Sequence, residues 1–109
     1  MNKKIQLIIP AAGPNFEFDK KGNHKLLLEV YNKKLIEWVQ HSRPYDLSKG
    51  IFIFNKFHEK KYNLVKNISL ALKRKIKFKL IDKYTEGAPQ TIMLIKDLIK
   101  KDEPIFIDL

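Results

Sequence analysis

The chain has no cysteine, which excludes disulfides, thiolate metal ligands and cysteine nucleophiles. Glycine is scarce, with four in 109 residues. Gly13 is followed neither by a second glycine at the dinucleotide-fingerprint position nor by a Gly-Lys-Ser or Gly-Lys-Thr ending, so neither a P-loop nor a dinucleotide fingerprint is present. No apolar run approaches the roughly 18 residues that would suggest a membrane span, so no membrane partner is expected. Met1-Asn2-Lys3-Lys4 leads almost directly into an apolar segment without the h-region and cleavage site of a signal peptide, and a cytoplasmic protein is expected. Arginine is limited to Arg43 and Arg74, so bidentate, base-specific reading of nucleic acid is poorly supported.

What is present is a single domain's length, 44% hydrophobic and 31% charged residues, and a formal charge of +10. The charge is uneven. Residues 1–55 carry nine basic and five acidic groups, residues 56–83 ten and two, and residues 84–109 three and five. The middle segment reads either as a polyanion-binding surface for nucleic acid or as a solvated, lysine-rich helix face.

Apolar residues alternate between short continuous runs and helical spacing. Ile5 to Ile9 is expected to be a buried strand, and Leu26 to Val30 a short extended piece ending in a turn at Asn32-Lys33. Leu35 to Val39 begins a helix that Pro44 stops. Ile51 to Phe54 reads as a second strand. Phe57, Leu64, Val65, Ile68 and Leu72 predict one amphipathic helix over residues 57–74, with Phe57 and Trp38 in the core. A strand from Ile76 to Ile81, a helix through Ile92, Ile95, Leu98 and Ile99, and a strand at Pro104 to Ile107 complete the series. Such alternation predicts an α/β fold whose mainly parallel sheet is covered on both faces, with ligands beyond the carboxyl ends of its strands.

The loop from Ala11 to His24 follows the first strand and would lie at that crevice. Backbone amides near Gly13 could face a base or phosphate, and Lys25 could bring positive charge to a triphosphate. The same residues also read as a plain turn followed by an exposed lysine.

Several blocks in order resemble the sugar-phosphate and related nucleotidyltransferases. Pro10-Ala11-Ala12-Gly13 is similar to their opening signature, Lys25-Leu26-Leu27 to their Pro-Lys-x-Leu, and Lys33 to Val39 to their Gly-Lys-Pro-Leu-Ile-x-Trp segment. Thr85-Glu86-Gly87-Ala88 is similar to their Thr-Glu-Gly-Ala loop, and Asp102 to Ile107 to the strand leading to their metal-binding aspartate. The resemblance implies a Rossmann-like, three-layer α/β/α domain, incomplete relative to the full family fold, with residues 1–109 forming the N-terminal part of a longer enzyme. It implies nucleotide binding by Ala11, Ala12, Gly13, Gly87 and Ala88, a catalytic phosphate contact from Lys25, and Mg²⁺ as cofactor. The implied reaction is attack of a sugar phosphate or similar acceptor on the α-phosphate of a nucleoside triphosphate. No metal ligand is assigned in the chain, and Asp108 reads as a strand-end residue. Asn15 stands where the family has a second loop glycine, Glu17 where it has an arginine, and His24 where it has a proline. An inward-facing Glu17 would repel a triphosphate.

His24, His41 and His58 lack metal-site spacing and read as solvated or partly packed. Glu17 and Asp19 read as a flexible acidic pair in a polar loop.

Overall fold

The computed structural model describes residues 6–82, 93, 96 and 104–108. Ile5, the Gly87 and Ala88 loop and most of the helix expected over residues 92–99 lie outside them. Strand β1 (Gln6–Ala11) leads to a one-turn helix α1 (Phe16–Asp19), then a hairpin of β2 (Glu29–Val30) and β3 (Lys33–Lys34), then helix α2 (Leu35–His41). Strand β4 (Ile51–Asn55), helices α3 (Lys56–Tyr62) and α4 (Leu64–Leu72), and strands β5 (Lys77–Ile81) and β6 (Ile105–Ile107) follow. The fold is mixed α/β, and its four-stranded sheet has the order β5-β4-β1-β6 with parallel pairing throughout.

Side chains alternate across the sheet, which divides the core. Ile9, Ala11, Phe52 and Phe54 join Ile36 of α2 with Leu64 and Ile68 of α4 in the larger cluster, while Ile8, Ala12, Ile53 and Ile81 form a smaller one. The register Ile8↔Ile51 through Ala11↔Phe54 sets buried Ile9 beside Phe52 and Ala11 beside Phe54, as expected for interior parallel strands. Lys77, Phe78 and Lys79 of β5 are exposed, which matches the edge position that their alternation predicts.

Proline in a central strand is unusual, because it has no N–H for the ladder. In β1 the even-numbered residues face β6, since Gln6 N–H donates to Pro104 and the Ile8 carbonyl accepts from Asp108 N–H at 3.0 Å. Pro10, next in that series, has no N–H to donate on that side, and among the described residues β6 pairs with Gln6 to Ile8. The described pairing of β1 to β4 runs on to Ala11.

The stretch expected to be one helix over residues 57–74 is two, broken at Asn63, which is left-handed at φ 51°, ψ 52°. Asparagine tolerates this conformation, and the Glu59 carboxylate accepts from Val65 N–H at 2.9 Å, satisfying a first-turn donor of α4. The break resets the helical phase. Phe57, expected in the core, is 62% exposed, and His58 and Tyr62 take the buried face of α3. Trp38 is only partly buried, its indole N–H donating to the Val30 carbonyl at 2.8 Å. The hairpin turns through Tyr31 and Asn32, both with positive φ, as a two-residue loop between antiparallel strands requires.

Asn63→Gly should leave stability nearly unchanged, whereas Asn63→Val should cost about 1–2 kcal/mol by forcing a β-branched residue into the left-handed region. Urea denaturation distinguishes the two, and equal losses would show that the side chain rather than the backbone conformation matters.

Candidate functional site

The order β5-β4-β1-β6 means that the chain steps outward from β1 to β4 to β5, then crosses to the other side of β1 for β6. In open parallel sheets a crevice forms at such a reversal, beyond the carboxyl ends of the two diverging strands. The loop that follows Ala11 emerges at the carboxyl end of β1, the strand at which the order reverses.

Ala11 and Ala12 are 4% and 1% exposed, and their methyl groups belong to the two opposite core clusters. Their small size serves packing, so any ligand contact from them runs through the backbone. Gly13 is partly exposed and is the first residue of the segment open to solvent. Gly87 and Ala88 lie outside the described residues.

Asn15, which stands where a glycine was expected, is 2% exposed and organises the loop. Its amide nitrogen donates to Asp19 Oδ1 at 3.0 Å and to the Asn23 carbonyl at 2.8 Å, and its Oδ1 accepts from Lys25 N–H at 3.0 Å. Gly22 supplies a positive φ of 72° for the return turn. Lys25 therefore starts its 3₁₀ turn, Lys25–Leu27, in a fixed position relative to the end of β1. Glu17 is exposed on α1, where water screens its charge.

A buried aromatic and imidazole cluster supports this loop. His24, expected to be solvated or partly packed, is fully buried, and its ring meets that of His58 edge-on at 5.1 Å and that of Tyr62 at 6.0 Å. Tyr62 O–H donates to Asp19, so the acidic residue read as part of a flexible pair is bonded from both α3 and Asn15. His24 Nδ1 accepts from Leu26 N–H at 3.2 Å, while Nε2 has no partner among the described residues. Burial first, then the fields of His58 and Lys25, lower the His24 pKa from 6.5 to about 4, against a smaller opposing effect of Asp19. Burial likewise lowers that of His58, with Asp19 opposing and Lys25 and Lys61 assisting. The hydrogen bond from Tyr62 is the main cause that holds the Asp19 carboxyl below its usual range. The detectable signal was His58 and Tyr62 at i, i+4, obscured because Phe57 set the expected phase.

Asn55 ends β4 in the position next to Ala12 and is fully buried. Its Oδ1 caps α3 by accepting from Phe57 N–H at 2.9 Å, and its amide nitrogen has no partner among the described residues. Sequence reading passed over this donor at the carboxyl end of the sheet. A groove of about 640 Å³ lies elsewhere, between Asn23, Leu28, Lys34, Lys61 and Tyr62. Gly13 and Lys25 do not line it.

Asp108 is held as a strand-end tie. Arg43 reaches both of its oxygens, Nε to Oδ2 at 2.8 Å and Nη2 to Oδ1 at 3.0 Å, and Tyr45 O–H donates to Oδ2. This bonding raises the Arg43 pKa, and burial followed by the same carboxylate raises that of Tyr45. Among the described residues no group of three or more His, Asp or Glu side chains is arranged for a metal, and Asp19 and Asp108 are committed to protein donors. The described donor set does not fit Mg²⁺. Among these residues no helix is long and apolar enough to cross a membrane. No family model, curated protein or solved structure matches the chain significantly.

Two outcomes follow. Because the folded-state pKa of His24 lies below its unfolded value, the unfolded chain takes up the proton first on acidification. Stability is therefore full above pH 6.5 and falls as pH drops from 6.5 towards about 4. The His24 contribution is about 3 kcal/mol if the full shift is expressed. His58 adds in the same direction below 6.5, and Asp19 adds below 3.8. Urea midpoints between about pH 7.5 and about pH 4 measure this, and a flat profile would contradict buried neutral imidazoles. Asn15→Ala should cost about 2 kcal/mol by leaving the Lys25 N–H and Asn23 carbonyl without their partner, and amide exchange at Lys25 should accelerate with it.

Proposed function

We propose that the chain is the nucleotide-binding part of a nucleotidyltransferase of the sugar-phosphate type, with a Rossmann-like, three-layer arrangement. The supporting observation is that the loop carrying Gly13 and Lys25 follows the carboxyl end of β1, the strand at which the order reverses, where Pro10 offers no N–H on the β6 side. A nucleoside triphosphate would lie with its base against the backbone of Ala11, Ala12 and Gly13 and against the Gly87-Ala88 loop. The Lys25 ammonium would offset phosphate charge. Asn55 adds a buried amide donor at the same end of the sheet.

In the implied reaction, a phosphate oxygen of a sugar phosphate or similar acceptor forms a bond to the α-phosphorus, and the bond to the bridging oxygen breaks to release pyrophosphate. The residues of this chain hold and orient the triphosphate, and their part is charge compensation and alignment. No step is routed through Mg²⁺, which the family resemblance implies, because the described side chains offer it no ligand set.

Calorimetric titration with each of the four nucleoside triphosphates, with and without Mg²⁺, tests the reading. At least one should bind, and Lys25→Ala should weaken that binding on the order of tenfold or more while leaving the melting temperature unchanged. Absence of binding by all four would reject the reading, and an unchanged affinity in Lys25→Ala would remove Lys25 from the site.

A further inference from the structure

We propose that the flank formed by α3, α4 and β5 binds single-stranded nucleic acid along its sugar-phosphate backbone, without base specificity. All nine basic side chains between Lys56 and Lys79 are exposed. Of the two acidic residues in the segment 56–83, Glu59 is engaged with the Val65 N–H and Asp82 lies past the end of β5. Among the described residues, the ion pair on this flank joins Arg74 to Asp46 at 3.4 Å with both groups partly open to water. The lysine charge is thus largely uncompensated, and a surface of this kind attracts a polyanion by summed field and counterion release.

Two exposed rings narrow the class of polyanion. Phe57 is 62% exposed between Lys56 and Lys60, and Phe78 is 46% exposed between Lys77 and Lys79. Helix α3 packs against β5, so the two ring-and-lysine groups belong to one flank. Unpaired bases stack on aromatic rings while lysines follow the phosphates, and a duplex offers no free base faces for this. Lysine rather than arginine predominates, which suits backbone attraction over reading of base edges. Gly13 and Lys25 are not among its residues, although α3 also supports their loop through His58 and Tyr62.

Fluorescence anisotropy with a labelled oligothymidylate of about twelve nucleotides tests the proposal. Neutralisation of about four phosphates predicts a loss of affinity of roughly fiftyfold between about 50 and about 200 mM salt. Lys60→Glu combined with Lys79→Glu should weaken binding about tenfold or more and flatten the salt dependence. Phe57→Ala should weaken it about fivefold or more without changing the salt slope, and Phe57→Tyr should restore it. Any of three results would overturn the proposal: no binding at the lower salt, equal or tighter binding to duplex DNA or phosphatidylglycerol vesicles, or wild-type affinity in both the charge-reversal and Phe57→Ala variants.

Discussion

The structure depends on the two-sided demand placed on β1. As an interior parallel strand it must bury side chains on both faces and serve a neighbour on each edge, and Ile8, Ile9 and Ala11 meet the first requirement with residues at most 4% exposed. Pro10 limits the second, because its missing N–H falls on the β6 side, after the paired residues Gln6, Leu7 and Ile8, while the described pairing toward β4 runs on to Ala11. The loop that follows leaves β1 at its carboxyl end, beside the edge on which that donor is missing.

The loop then needs its own support, since a segment emerging from a sheet edge has no ladder to satisfy its polar groups. Asn15 provides it from within, and the contact of His24 with His58 and Tyr62 provides it from α3. The break at Asn63 belongs to the same arrangement. A continuous helix would share one phase, whereas the break allows α3 to present His58 and Tyr62 to the loop while α4 presents Leu64 and Ile68 to the core.

Strong periodicity was legible before the structure. The parallel α/β class, the β1, β4, β5 and β6 segments and the stop of α2 before Pro44 all followed from apolar runs and breakers, whereas the turn expected at Asn32-Lys33 falls at Tyr31-Asn32 and Leu26 and Leu27 lie in a 3₁₀ turn rather than an extended piece. The helix break was not, because Asn63 lies within an unbroken 3.6-residue pattern and only its backbone angles reveal the change. Burial of His24 was illegible for a related reason: its neighbours come from 34 and 38 positions further along the chain, and no local pattern reports such contacts. At the loop, the packing of Ala11 and Ala12 into the two core clusters depends on contacts from both sides of the sheet that no local pattern reports, and Gly13 is the first residue of the segment open to solvent.

The two positively charged regions act on different scales. Lysines on the α3–α4–β5 flank are solvated, so each contributes little alone, and their effect is a summed field that mobile ions screen over about 8 Å at physiological ionic strength. Lys25 is half-buried and lies close enough to His24 and His58 to oppose their protonation. With both imidazoles neutral near pH 7, Lys25 contributes a single localised charge near uncharged rings rather than one member of a cationic cluster. An anion at Lys25 would offset the field that opposes imidazole protonation, and by linkage the anion and the histidine protons would favour each other. The buried cluster therefore fixes the loop's position and also sets how sharply Lys25 stands out from its surroundings.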